Sequence, residues 1–174
     1  MKTWGKFAKT VVLFSLVGVF GLSGCTTVQP TPSNSVLKDD FQAEVAVEVA
    51  LRVLETDYSL EQLQSRGTSE IEIFEPFDQA DTEFTVISFG QLLLDSGLEE
   101  SDQIVTIALN DYRFTDSVEN FVRKGALLAL LENGQPIPIS EGGPVRIVFT
   151  EDSEYYKFLD AWNWSLASIE ISGE

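Results

Sequence analysis

Apolar residues in this chain recur at every second position, in bursts too short for long helices. Val45, Val47, Val49, Leu51 and Val53 alternate with Glu44, Ala46, Glu48, Ala50 and Arg52. A period of two places one set on a single face of a strand. Four of the five apolar positions are β-branched, which suits a pleated surface better than a helix. The run Ala43–Leu54 therefore reads as a strand, although its Ala, Glu and Leu are good helix formers. The alternation returns in Ser69–Phe74, "SEIEIF", which Pro76 ends, and in Ala161–Ile171, "AWNWSLASIEI". Glu83–Ile87, Ile104–Leu109, Leu127–Leu131 and Val145–Phe149 read as further short extended runs. Asn110-Asp111 turns the chain so that Tyr112–Thr115 returns, and Asn133-Gly134 is a hairpin signal. Two capping boxes, Ser59-Leu-Glu-Gln62 and Ser88-Phe-Gly-Gln91, open short helices that stop at Gly67 and Gly97. The predicted class is α+β, mostly β.

The first residues read as a processed leader. Lys2, Lys6 and Lys9 precede an apolar segment of 13 residues, Thr10–Leu22. A membrane-spanning helix needs about 20. Leu22-Ser23-Gly24-Cys25 follows, and this resembles the bacterial lipoprotein signal motif. Small side chains admit a peptidase to the bond before Cys25, and the thiol accepts a lipid. The resemblance implies a signal peptide over 1–24, a lipidated Cys25 and an extracytoplasmic location at a membrane. In Gram-negative cells, Thr26 in place of an Asp retention signal favours the periplasmic face of the outer membrane. Residues 25–39, rich in Pro, Ser and Thr, read as a flexible tether, and residues 40–174 as one domain.

Cleavage before Cys25 takes 24 of the 174 residues and leaves 150, enough to bury a core without disulfides. It also takes three lysines and no acid, so the formal net charge moves from −17 to −20. That charge argues against nucleic acid as a partner. The sequence holds no histidine, which removes a Ser-His-Asp triad and the commonest metal ligand.

Several pieces stand in a familiar order: "SLEQL", a strand ending in Pro, "SFGQLLLDSGL", "VTIALNDY", "LLALLENGQPI", "GGPVRIVF" and "WNWSLASIEI". The order resembles the molybdopterin-binding domain of the sulfite oxidase type, above all its short, exported, single-domain versions. The likeness covers roughly residues 44–171. It implies the mixed-sheet fold of that family and a cofactor cleft. Full members hold a molybdenum-pterin through a cysteine thiolate and cationic side chains, and move an oxygen atom to or from substrate. This sequence departs at the metal ligand. The family's cysteine position falls near Ile73 or Phe74, and Cys25 is the chain's only cysteine.

The resemblance makes Asn110, Tyr112, Gly143 and Arg146 the candidate pocket. Gly142, Gly143 and Arg146 suit an anion held by backbone N–H groups and a guanidinium. They equally suit a tight turn into a strand begun by Pro144, with Arg146 paired to Glu141 or Glu170. Trp162 and Trp164, two apart, should share one side of a strand, as core or as pocket wall. Tyr112 reads as a pocket residue or as a half-buried turn aromatic. The acid clusters at Asp39-Asp40, Glu99–Asp102 and Glu151–Glu154 lack the spacing of a calcium loop. No metal site or catalytic residue is expected, and no cofactor.

The expected function is a lipid-anchored binding or accessory module, sensory in one version, that acts on a small ligand or an envelope protein. One alternative is a molybdopterin-dependent oxidoreductase whose metal has only non-protein ligands. Another is a structural envelope lipoprotein.

Overall fold

The structure, a computed structural model, describes residues 49–173. The leader, Cys25, the tether and most of the first alternating run lie outside the described residues.

β1 (Leu51–Val53) and β2 (Thr56–Tyr58) form a tight hairpin. Leu51 and Val53 are buried with Arg52 exposed between them, as their alternation predicts. Leu54 turns the chain with φ +52°. α1 (Leu60–Gln64) makes both bonds of its capping box. The Gln62 N–H donates to Ser59 Oγ at 3.2 Å, and the Ser59 N–H donates to Gln62 Oε1 at 2.8 Å. β3 (Ser69–Glu75) and β4 (Ala80–Ser88) form a long hairpin, and α2 (Phe89–Asp95) follows directly. Its capping box is only half made. Ser88 Oγ accepts the Gln91 N–H, while the Gln91 side chain turns to Asp95 at 2.7 Å.

β5 (Gln103–Ala108) and β6 (Arg113–Ser117) are the next hairpin. α3 (Val118–Arg123) has no counterpart in the sequence reading. Its cap, Ser117, accepts the Asn120 N–H at 3.1 Å, but Asn120 stands where a capping box needs Glu or Gln. β7 (Leu127–Glu132), β8 (Gln135–Pro136), β9 (Arg146–Val148) and β10 (Leu166–Ile171) complete the order.

The reading of Ala161–Ile171 as one strand is corrected, because pairing begins at Leu166. The backbone before it is engaged elsewhere. Asn163 O accepts from Ile147 N at 3.0 Å, and Ser165 N donates to Gly142 O at 2.6 Å. Ser165 itself takes φ +49°.

Two sheets result, and the class is α+β, mostly β. One has the order β2-β1-β10-β5-β6 and is mixed, since β1 runs parallel to β10 and the other pairs are antiparallel. The second has the order β3-β4-β7-β8, with β9 also on β7, and is antiparallel throughout. One contiguous core joins Leu51, Ile104 and Ile169 of the first sheet to Phe84, Leu128 and Ile147 of the second. Leu63 of α1, Phe89 and Leu92 of α2 and Phe121 of α3 complete it. α2 and α3 meet at Gly90, where a Cβ would lie 2.8 Å from the Val122 side chain.

Candidate functional site

The corner before β9 is built by glycine. After a short 3-10 turn at Ile139–Glu141, Gly142 takes φ +89°, a conformation costly for any other residue type. Gly143 has no room for a side chain, since a Cβ would stand 1.8 Å from the Ile137 carbonyl oxygen. Its N–H donates to Pro138 O at 2.9 Å. The Trp164 ring lies against Gly142, where an added Cβ would come within 3.0 Å of it.

β9 is buried along its length, and Arg146 lies inside the protein at 1% exposure. Its Nη2 donates to Glu75 Oε1 at 2.7 Å, and Nη1 donates to the Glu141 carbonyl at 3.2 Å. The guanidinium carbon sits 4.4 Å from the Trp164 ring centroid and 5.0 Å from that of Phe84. The expected partner is thus corrected. The carboxylate is Glu75, and Glu141 contributes only its backbone. Glu75 is also fully buried, and its other oxygen accepts the N–H groups of Phe77 and Asp78 at 2.6 Å each. Burial lowers the Arg146 pKa while Glu75 and Glu132 raise it, and a guanidinium keeps its charge. Arg146 Nε and Trp164 Nε1 are buried without a hydrogen-bond partner.

Glu75 escaped the sequence reading, yet its signal was present. Ile71, Ile73 and Glu75 share one parity of β3, so a carboxylate there points where the isoleucines point. An acid on the inward face calls for a buried cation. The same strand end is where the family resemblance puts its metal cysteine. Ile73 is buried there, and the Phe74 side chain is exposed. The Phe74 carbonyl accepts the Tyr156 hydroxyl at 2.6 Å. These residues do not fit a cysteine-ligated molybdenum. Among the described residues, no group of three or more acids stands close enough to hold a metal ion.

Trp162 and Trp164 precede the strand, so the spacing rule does not apply to them. They still flank one ring. Phe77, on the turn after Glu75, lies edge-on to Trp162 at 6.1 Å and to Trp164 at 5.0 Å. Tyr156 meets Trp162 from another side at 5.9 Å.

Asn110 and Tyr112 form the tip of the β5–β6 hairpin. Asn110 Oδ1 accepts the Tyr112 N–H at 3.1 Å, and Asp111 between them takes φ +64°. The Tyr112 side chain is 40% exposed, and its hydroxyl donates to the Asp160 carbonyl at 2.9 Å. Burial, then the Asp160 charge, raises the Tyr112 pKa. No hydrogen bond joins this tip directly to the corner. Both are tied to the segment between them. Asp160 holds Tyr112, Asn163 Nδ2 donates to Thr106 Oγ1 at 3.0 Å, and Leu166 N donates to Val145 O at 2.9 Å.

A polar cleft of about 290 Å³ lies at the end of α3, between Arg123–Gly125 and Thr150–Glu154. Lys124 is paired there with Glu154. None of the four candidate residues lines it. No family model matches the chain, and no match is found among curated proteins.

Proposed function

We propose that this chain is a lipid-anchored, extracytoplasmic binding or accessory module. It keeps the sulfite oxidase-like molybdopterin-domain fold without using it for oxygen transfer. The observation that supports this reading is the Glu75–Arg146 pair. Two of the motifs that the resemblance places at a cofactor cleft are the strand end after the first helix and the Gly-Gly-Pro-x-Arg corner. Here they meet as a carboxylate and a guanidinium that pair at 2.7 Å and leave only Arg146 Nε without a partner. An arginine held this way has little to offer an incoming phosphate. Release of Arg146 to a ligand would leave Glu75 as an uncompensated buried charge. Cys25 would carry the lipid, and in a Gram-negative cell the acidic domain would face the periplasm on its tether.

The test is native purification followed by elemental analysis and a thermal-shift screen that includes pterins. The expected result is no molybdenum and no stabilisation by pterins. Molybdenum near one atom per chain, or a pterin that raises the melting temperature, would overturn the reading, since a ligand of the native state stabilises it by mass action.

A further inference from the structure

We propose that the edge of β3 that no described strand pairs receives an extended, basic segment of a partner protein. The proposal rests on the accessory-module reading and names the partner's chemistry. β3 is paired to β4 along all seven of its residues and lies at the end of its sheet. Its other side makes no backbone bond to a described residue; near its end, the Phe74 carbonyl takes the Tyr156 hydroxyl. It is longer than the edge strands β2 and β6, which have three and five residues. A strand open in this way can accept another by main-chain hydrogen bonding.

The charge along the edge selects the occupant. Glu70, Glu72 and Phe74 share the exposed parity of β3, and Asp81 and Glu83 are exposed on β4. Glu72 stands directly opposite Glu83, and Phe74 opposite Asp81. Like charges placed directly opposite are destabilising in a sheet. The four ion pairs among the described residues involve none of these acids. Acidic side chains on an edge also hold off a second copy of the same edge. The same repulsion leaves the place open to a strand of opposite sign. An incoming segment with Lys or Arg at alternate positions would set its cations beside Glu70 and Glu72, with Asp81 and Glu83 one strand further adding to the negative field. At the far end it would meet Phe74 and Phe77, both more than a third exposed, whose ring faces attract cations.

The probe is a labelled peptide of alternating lysine and threonine, titrated at low salt against the full chain by fluorescence anisotropy. A fully N-methylated version keeps the charge and removes every backbone donor. We expect the first to bind and the second to fail, with new hydrogen-exchange protection at Glu70–Phe74. The double variant Glu70→Gln/Glu72→Gln, which also removes the repulsion between Glu72 and Glu83, should fold and bind about tenfold more weakly, the scale of two exposed ion pairs. Absence of binding, equal binding of both peptides, or unchanged affinity in the double variant would overturn the inference. Those outcomes, with the protein free of molybdenum, leave the accessory reading standing. Molybdenum in the protein defeats that reading whatever the peptide does.

Discussion

The β9 corner and the β5–β6 tip are both tied to the segment from Asp160 to Leu166, and they are held in different ways. At the corner, each group is engaged more than once. Glu75 binds an arginine and two backbone N–H groups, and Arg146 binds a carboxylate and a carbonyl and lies against two rings. At the tip, the Tyr112 backbone bonds to Asn110 Oδ1 and to the Ala108 N–H, but its side chain is held by one hydroxyl bond, with the phenol ring at the surface. A group locked from several sides is positioned for folding. A group held by one bond is available for exchange with another partner. On the proposed reading, the corner serves stability and contact with other molecules falls to the surface.

The sharpest way to break that contrast is Arg146→Met. It leaves Glu75 buried without its cation, and losses of this kind cost about 3–5 kcal/mol. Urea denaturation should show the midpoint falling with little change in slope. Replacing both partners, Glu75→Met with Arg146→Met, removes the stranded charge and should recover part of the loss. Recovery stays incomplete, because the N–H groups of Phe77 and Asp78 lose their acceptor. A double variant as stable as the parent would mean that the pair contributes no more than packing would. Gly143→Ala comes next. Its Cβ meets a backbone carbonyl that no rotamer change can move aside. Overpacking typically costs about 1–3 kcal/mol, and the same denaturation experiment reads it.

These two regions also differ in how far they could be read from the sequence. Period-two runs located β1, β3 and β10, because a half-buried strand writes its faces into the residue order, and short apolar runs located β4, β5, β7 and β9. Ser59 and Gly67 marked α1 for the same local reason. What could not be read locally is the corner's partner. Glu75 and Arg146 are 71 residues apart and meet only when β3 and β9 join one sheet. Trp162 and Trp164 misled because strand spacing holds only inside a strand. Their stretch bonds instead to Ile147 and Gly142, which no local pattern announces. The tip was legible as a turn from Asn110-Asp111, and its link to Asp160 was not.

Tyr112→Phe tests the weaker side of the comparison. It removes one hydrogen bond at an exposed site, at the low end of the usual range, about 0.5 kcal/mol. Thermal unfolding should show a small downward shift. A loss as large as that of Arg146→Met would erase the distinction between tip and corner.

The smallest effect is also the one that pH can isolate. Glu132 ends β7 near the corner, and its pKa is raised, first by burial, against the attraction of Arg146, and then by Glu141, Asp78 and Glu75. An acid with a raised pKa in the folded state holds its proton more tightly there than in the unfolded chain. Its stabilising share is therefore present below the ordinary glutamate value, about 4.3, and is lost as pH climbs past the folded one. Glu132→Gln should unfold at a higher temperature than the parent at neutral pH, and the gap should close as the pH falls below that ordinary range. The readout is the difference between the two melting curves, so carboxylates common to both proteins cancel. A gap that widens in acid would mean that Glu132 serves Arg146 as a second counter-charge, and that the corner needs more negative charge than Glu75 alone supplies.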